Sequence, residues 1–365
     1  MAPQIQHFIR PTSERPPSLV SVTIVSALVG LATGAAGFSL LKAWYPSDSA
    51  FNGSIIGSNT VTIKTEQSLA TAVLALKDTV FGVFQGNATD GGQLSQWHTD
   101  KDYLGSAVPV TSDGWLMLPT GVPIALPLEV VINQKAYAVT DHYTDSLTGL
   151  VFIKISASNL HPIQFARAEQ LLAGSTLVYQ QVSVAGLPVF NRALLTNINQ
   201  IDTSSKNSQI HTTESLDSWA TLDTASVRSD IMFTPDGSLA GVGYGSGRLL
   251  KVRFVQNAVD KLLTRSPYVT FGFSYVDLYR LPQSQTADKP SVGALVYANG
   301  RSAVSAGSPA QKAGLRSGDI ILSIGGETVG YNASVMELLT SKKAGETVTV
   351  KIMRQDKEQE LLFQL

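Results

Sequence analysis

The fold of this chain is decided by one stretch, Ser308-Pro309-Ala310-Gln311-Lys312-Ala313-Gly314-Leu315-Arg316-Ser317-Gly318-Asp319-Ile320-Ile321. It lies within the C-terminal segment 268–365. The pattern of that segment predicts a strand, a long loop, a strand, a short helix after Ser-Pro, a strand after Gly-Asp, a Gly-Gly turn, a helix and two final strands. This order of short helices and strands predicts an α+β domain.

The same stretch resembles the S-P-A-x-x-A-G-L-x-x-G-D-x-I signature of bacterial PDZ domains. The segment 325–329, Gly-Gly-Glu-Thr-Val, resembles the turn that follows this signature, and 344–348 and Arg354 match the closing strands of that family. The resemblance predicts a PDZ domain over 266–365. It implies that an extended peptide binds as an added strand, with its terminal carboxylate held by backbone N–H groups of a neighbouring loop.

The peptide-binding loop implied by this resemblance is Phe271-Gly272-Phe273, which is similar to the family's Φ-G-Φ. Glycine permits a close backbone approach, and the two aromatic side chains flank the pocket for the ligand's last side chain. Val335 and Leu339, four residues apart on a helix, are expected to form the other wall. An alternative stays open, because apolar residues of a groove and of a core have the same composition. The implied partners are polypeptide C-termini or unfolded proteins.

The segment from Val80 to about Gly245 consists of short apolar runs separated by Gly, Asn, Asp and Pro. This spacing predicts an all-β barrel or sandwich domain. A short amphipathic helix is predicted before it, and a second helix is predicted over Arg248–Leu263. The apolar runs include 107–110, 115–118, 130–132, 150–155 and 176–184.

The predicted order of elements resembles the layout of the HtrA or Deg serine protease family. This order is an apolar N-terminal segment, a β domain, a linking helix and a PDZ domain. The segment 105–118, Gly-Ser-Ala-Val-Pro-Val-Thr-Ser-Asp-Gly-Trp-Leu-Met-Leu, resembles that family's G-S-G-V-V-V-T-S-D-G-Y-I-L-T. The resemblance predicts a mainly β protein. It implies a trypsin-like double β-barrel over 65–265, followed by the PDZ domain.

The catalytic triad of that family is missing from the matching positions. Gly121 stands where the family has its histidine, and Gly149 stands where it has its aspartate. The nucleophile position falls on Arg228, or on Ser229 if one residue is deleted, and the G-N-S-G-G motif is absent. Triad chemistry needs a base, an acid that orients it and preorganised oxyanion donors. The sequence therefore predicts no catalytic residues.

These observations predict a pseudoprotease that binds polypeptide C-termini in envelope protein quality control or regulation. The alternative is an active HtrA-like serine endopeptidase that degrades misfolded envelope proteins. A rebuilt site is conceivable, because His142 lies between Asp141 and Asp145 and Ser229 is present. In a third interpretation the β domain is only a spacer for the PDZ domain. The family resemblance also implies a homotrimer or a hetero-oligomer with active relatives.

The N-terminal segment 18–41 has no charged residue and is long enough, as a helix, to cross a bilayer. It predicts a transmembrane anchor over 18–45, with a cleaved signal peptide as the rival interpretation. Arg10 and Arg15 precede the segment, so the positive-inside rule places 1–17 in the cytoplasm and the bulk of the chain outside. The segment 46–64 has the composition of a linker.

The composition excludes several classes of protein. The net charge is -1 and the sequence has no run of basic residues, so it does not predict the basic surface that nucleic-acid binding requires. The absence of cysteine excludes disulfides and thiolate sites, and the five histidines lack zinc-site spacing. No metal or cofactor is therefore expected. His98, His161 and His211 are expected at the surface.

Overall fold

The computed structural model describes residues 69–76, 79–86, 98–99, 101–122, 124, 127–182, 188–201, 209–216, 218–224, 230–281 and 290–365. Among these residues, no helix has the length and apolar character needed to cross a membrane. The predicted cytoplasmic segment 1–17, the predicted anchor 18–45 and the predicted linker 46–64 lie outside them.

The first β-barrel follows a short helix, Leu69–Leu76. Within the described residues its six strands are antiparallel and close in the order β1-β2-β3-β6-β5-β4. β4 alternates buried and partly exposed residues, because one face of a barrel strand lies against the core. The strands are β1 (Phe81–Gln85), β2 (Tyr103–Pro109), β3 (Trp115–Leu118), β4 (Leu128–Ile132), β5 (Lys135–Thr144) and β6 (Val151–Ile155).

The second β-barrel is also closed, in the order β10-β13-β12-β11-β7-β8. One short strand of this part of the chain, β9 (His211–Thr212), joins another sheet instead. A 3₁₀ turn, Ala168–Gln170, connects the barrels. The barrel strands are β7 (Thr176–Val182), β8 (Pro188–Ile201), β10 (Ser218–Leu222), β11 (Ile231–Phe233), β12 (Leu239–Gly243) and β13 (Arg248–Lys251).

The helix predicted over 248–263 begins later than expected. Residues 248–251 form strand β13, and only then does a helix, Val252–Thr264, begin. Leu249 and Leu250 are both buried, as the two faces of a strand between a barrel interior and a covering helix require. Strand and helix follow each other without a break in the run of apolar residues, so the sequence pattern does not mark the boundary at 251–252. We call Val252–Thr264 the bridging helix.

The C-terminal part of the chain has the predicted order of elements. A sheet runs in the order β19-β18-β16-β15-β14-β9, with β17 paired to β16. Two short helices, Pro309–Lys312 and Val335–Thr340, accompany it, and we call the second the groove helix. A 3₁₀ turn, Leu278–Arg280, follows the first strand. The strands are β14 (Ser274–Asp277), β15 (Ala294–Val296), β16 (Ile320–Ile324), β17 (Glu327–Thr328), β18 (Thr347–Arg354) and β19 (Lys357–Gln364).

Two local contacts fix the conformation of the segment 308–321. The Ser308 hydroxyl accepts a hydrogen bond from the Gln311 N–H at 3.2 Å and caps the first short helix. Asp319 is buried and binds Arg354 in a bidentate manner, with the Nε to Oδ1 distance 2.7 Å and the Nη2 to Oδ2 distance 2.6 Å. The same Arg354 donates to the Gly314 carbonyl at 2.8 Å. This pair ties the turn before β16 to the end of β18.

The groove helix packs on the bridging helix, and one nearly buried ion pair joins them. Lys251 Nζ lies 2.8 Å from Glu337 Oε2, with the two side chains 12% and 2% exposed. Glu337 also completes a capping box with Ser334. Burial alone raises the pKa of Glu337, but Lys251 and the Ser334 hydrogen bonds outweigh it and hold that pKa below its ordinary value. The carboxylate is therefore ionised in the folded protein.

We predict that Glu337→Gln lowers the free energy of unfolding by about 3 kcal/mol, because it removes the charge that offsets a nearly buried ammonium group. Because the pKa of Glu337 is depressed by folding, its contribution is complete above the ordinary value of 4.5 and is lost as the pH falls through the lower folded value. Urea denaturation of the full chain at several pH values measures both effects.

A matched control is Asp260→Asn. Asp260 pairs with Lys343 at 3.3 Å across the same junction, but both side chains are about half exposed. This substitution should cost less than about 0.5 kcal/mol. Equal losses from the two substitutions would contradict the account of the junction.

Candidate functional site

A cleft of about 450 Å³ lies between the two barrels. The first barrel contributes the ends of β2 and β3, and the second contributes residues of β7 and β11. Its described lining residues are Val80, Tyr103, Leu104, Gly105, Ser106, Pro119, Thr120, Gly121, Val122, Gln180, Asp230, Ile231 and Phe233.

Two of the predicted triad positions lie close together at this cleft. Gly121 lines it, in a turn where its φ is +85°. A Cβ atom added to Gly149, whose φ is +67°, would lie 3.9 Å from Cγ2 of Thr120, the residue next to Gly121. The third position, Arg228 or Ser229, lies outside the described residues, and Asp230 is the first described residue after it.

The loop that carries Gly149 is held by a buried carboxylate. Asp145 Oδ2 accepts hydrogen bonds from the Thr148 N–H and hydroxyl at 2.9 and 2.6 Å, and the Asp145 carbonyl accepts from the Gly149 N–H at 2.9 Å. Asp145 Oδ1 accepts from the Tyr268 hydroxyl at 2.9 Å. Burial, and then the adjacent Asp145 carboxylate, raise the pKa of Tyr268 far above its usual range, so the hydroxyl stays protonated and donates.

These contacts bear on the rebuilt site considered above. The Asp145 carboxylate is engaged by Thr148 and Tyr268, and Asp141 pairs with Arg265 at 3.6 Å. His142 is exposed on β5, and its backbone N–H donates to Asp141 Oδ1 at 2.8 Å. The two acidic residues thus have other partners than the imidazole ring.

The described lining of the cleft offers hydroxyl, amide and carboxylate groups. Tyr103 Oη lies 2.8 Å from Ser106 Oγ, and burial raises the pKa of Tyr103, which keeps it neutral. Gln180 and Asp230 face the same space from the second barrel. No histidine is among the described lining residues. Such a surface can form hydrogen bonds with a polypeptide backbone.

The second candidate site is the loop before β14. Gly272 has φ +76°, a conformation that favours glycine, and an added Cβ would lie only 2.3 Å from Ser308 Cβ. The Ser305 N–H donates to the Gly272 carbonyl at 2.8 Å and the Ala310 N–H to the Phe271 carbonyl at 3.1 Å. With the carbonyl groups bound on one side, the N–H groups of Gly272 and Phe273 point to the opposite side of the loop.

The apolar residues predicted for this site are buried. Phe271 and Phe273 belong to one core cluster, which also contains Val335 and Leu339 of the groove helix. None of the four is more than 3% exposed. The structure therefore brings all of the predicted residues together around Gly272, and their side chains contribute to the core of the domain.

Sequence reasoning missed the residues that contact this loop. The Gly272 N–H donates to Thr213 Oγ1 and to Glu214 Oε1, both at 3.1 Å, and the Phe273 N–H donates to Thr213 Oγ1 at 3.3 Å. Both acceptors lie in the segment 209–216, which we call the internal segment. It has no alternation of apolar residues, so its pattern carried no strand signal.

The prediction for His211 was wrong. This residue belongs to the internal segment and is only 1% exposed, because strand pairing places its ring 5.4 Å from that of Tyr275. Its Nε2 lies 3.8 Å from Asp277 Oδ2. His161 is exposed as expected, and His98 is partly buried against the Phe84 ring.

Comparison with known families identifies the C-terminal domain. Residues 270–365 match the PDZ domain model, and this range contains the Gly272 loop, the groove helix and all strands from β14 to β19. The chain thus carries a PDZ domain, as its signature predicts.

Similar proteins extend the comparison to the barrels. A probable periplasmic serine endoprotease, DegP-like, from Marinomonas sp. (strain MWYL1) is 26% identical over 76% of this chain and 60% of its own length. The serine protease Do-like HtrA of Bacillus subtilis (strain 168) is 25% identical over 59% of this chain and 51% of its own. The chain therefore spans only about half to three-fifths of these curated relatives.

Solved structures show the same fold. The HtrA-type protease AlgW with a tripeptide covers 81% of this chain and 96% of its own, with a TM-score of 0.53 at 16% identity. AlgW with a decapeptide covers 81% and 98%, with a TM-score of 0.51 at 15% identity. The chain therefore shares the fold of these structures, a double β-barrel of the trypsin type followed by a PDZ domain.

We predict that Gly272→Ala destabilises the protein more than Gly307→Ala. Both glycines have φ +76°, so each substitution carries a similar backbone strain of about 1 kcal/mol. Only at Gly272 does the new Cβ meet Ser308, which adds about 2 kcal/mol, whereas nothing lies within 4 Å at Gly307. Urea denaturation of the two variants measures the difference, and equal losses would contradict the described packing of the loop.

Proposed function

We propose that this protein is a membrane-anchored HtrA-like pseudoprotease, which binds polypeptide C-termini through its PDZ domain and does not cleave them. The observation that carries the proposal is glycine at positions 121 and 149, which the family resemblance assigns to the triad histidine and aspartate. Glycine has no side chain that can accept a proton or orient a base.

The chemistry explains why these two substitutions matter so much. A serine hydroxyl is a weak nucleophile until a base removes its proton, and the base must be held in the correct tautomer. Loss of the triad as a set lowers turnover by about 10⁶-fold in the best-studied case. No histidine lines the described part of the cleft, and the acidic residues near Gly149 are bound to other groups.

Peptide binding is supported by the Gly272 loop at the edge of β14. Its two N–H groups point to one position, which is what capture of a terminal carboxylate requires. Gly272 permits the approach, and Phe271, Phe273, Val335 and Leu339 shape the surrounding walls. In this proposal the ligand is the C-terminus of a polypeptide, or an unfolded protein that exposes one.

The cellular setting is part of the same proposal. The apolar segment 18–41 supports a single-pass anchor, and its flanking charges support an extracytoplasmic location of the barrels and the PDZ domain. Two relatives, from Marinomonas sp. (strain MWYL1) and Chlamydia muridarum (strain MoPn / Nigg), are described as probable periplasmic serine endoproteases, which agrees with this location. A role in envelope protein quality control or regulation follows, in a homotrimer or in a hetero-oligomer with active relatives.

The second candidate function is cleavage of misfolded envelope proteins by an active HtrA-like endopeptidase. Two observations favour it: relatives are described as serine proteases, and the cleft between the barrels has room for a peptide. Under this hypothesis Ser229 or another group replaces the missing triad.

Proteolysis by the purified full chain distinguishes the two functions. We expect no turnover of fluorescent casein above buffer, and no difference between the wild type and an Arg228→Ala/Ser229→Ala double variant, because glycine at 121 and 149 can neither accept a proton nor orient a base. Turnover that the double variant lacks would overturn the pseudoprotease proposal.

The binding half of the proposal is tested on the same preparation. A decapeptide library of random sequence with free terminal carboxylates should bind, and the same library with amidated termini should not, because the loop N–H groups require an acceptor. Absence of carboxylate-dependent binding at millimolar peptide would refute the proposed PDZ function.

A further inference from the structure

The edge of the PDZ sheet is already paired in this structure. β9 (His211–Thr212) runs antiparallel to β14, with Thr212 opposite Ser274 and His211 opposite Tyr275. The Thr213 N–H continues the ladder by donating to the Phe273 carbonyl at 3.1 Å. This is the edge on which a PDZ domain binds a peptide as an added strand.

The internal segment also fills the place of a ligand's terminal carboxylate. Thr213 Oγ1 accepts hydrogen bonds from the Gly272 and Phe273 N–H groups, and Glu214 Oε1 accepts a further one from Gly272. The Thr213 hydroxyl itself donates to Glu214 Oε1 at 2.9 Å. A hydroxyl and a carboxylate from adjacent residues thus provide the acceptors that a free C-terminus would provide.

Burial shows that this contact is a packed one. His211 and Thr213 are 1% and 6% exposed, while Glu214 and Ser215 of the same segment are exposed to solvent. The three residues from His211 to Thr213 therefore occupy the positions of the last three residues of a bound peptide, with Thr213 at the terminal position.

We propose that the internal segment, 209–216, is a built-in ligand of the PDZ groove, which a polypeptide C-terminus must displace in order to bind. This inference rests on the proposed PDZ function and adds its regulation. Because the segment is part of the same chain, it competes at an effective concentration in the millimolar range. An incoming carboxylate would accept charge-assisted hydrogen bonds from both loop N–H groups, whereas in the internal segment only Glu214 is a charged acceptor and the Thr213 hydroxyl is neutral.

Displacement has a consequence beyond the PDZ domain. The internal segment connects β8, which ends at Ile201, to β10, which begins at Ser218, and both strands belong to the second barrel. An exchange of ligands at the PDZ edge would therefore release a connection of that barrel. Peptide binding and the state of this connection are linked in one equilibrium.

The first test uses the segment's own sequence as a separate peptide. The probe is a fluorescein-labelled decapeptide of residues 204–213, Ser-Ser-Lys-Asn-Ser-Gln-Ile-His-Thr-Thr, with a free terminal carboxylate. Thr213→Pro in the full chain removes both the N–H donor and the hydroxyl acceptor of the internal segment. We expect the Kd of the probe to fall at least about tenfold relative to the wild type, because the intramolecular competitor is weakened.

Two further variants calibrate this result. Glu214→Ala removes one charged acceptor and leaves the strand backbone intact, so a smaller decrease of the Kd, about threefold to tenfold, is expected. Ser215→Ala is the matched control, since Ser215 bonds Thr212 at 3.0 Å within the segment and the loop contacts come from Thr213 and Glu214. Its Kd should equal that of the wild type.

The second test does not depend on weakening the segment. Thr212 and Ser274 are direct cross-strand partners. The Ser274 N–H donates to the Ala303 carbonyl on the other side of β14, so Thr212 and Ser274 form a non-hydrogen-bonded pair. The side chains of such a pair are close enough for a disulfide. The chain contains no cysteine of its own. In a Thr212→Cys/Ser274→Cys variant we expect oxidation to abolish probe binding and reduction to restore it.

Each result decides the inference. Equal probe affinity of the wild type and Thr213→Pro, unchanged binding by the oxidised cysteine variant, or failure of the disulfide to form would overturn it. If the probe binds to no form while the random library binds to the wild type, the inference fails and the proposed function stands. If the library also fails to bind, the proposed function fails with it.

Discussion

Unpaired backbone groups at the edge of a sheet need partners, and this constraint governs the PDZ domain of this chain. The loop at Gly272 directs two N–H groups outward, because Ser305 and Ala310 bind its carbonyl groups from the other side. Only glycine fits there, since Ser308 lies against it. The signature segment thus also fixes a loop whose N–H groups need hydrogen-bond acceptors. Thr213 and Glu214 supply these acceptors.

The arrangement depends equally on the contact between the domains. The bridging helix packs on the groove helix, and the Lys251 to Glu337 pair lies nearly buried at their junction. Tyr268 reaches Asp145 in the first barrel, next to the loop that carries Gly149. Packed and hydrogen-bonded residues therefore join the barrels to the PDZ domain.

The sequence predicted what local patterns determine. The PDZ domain and the β strands of the barrels follow from turns and apolar runs and are confirmed. The role of the Gly272 loop in peptide binding stays a prediction. The start of the bridging helix was wrong because strand β13 and the helix share one apolar run. The burial of His211 and the strand it forms depend on a pairing partner more than 60 residues away, which a local pattern does not encode. The positions of Arg228 and Ser229 stay predictions.

Residue-resolved amide hydrogen exchange of the peptide-free full chain measures whether the internal segment covers the PDZ groove. Ser274 donates its N–H to Ala303 within the domain and serves as the internal reference. We predict that the Gly272 and Phe273 amides exchange within about tenfold of the Ser274 rate, because the internal segment closes over them. Exchange of these two amides at the rate of an unstructured peptide, with Ser274 protected, would show that the groove is open and contradict the account.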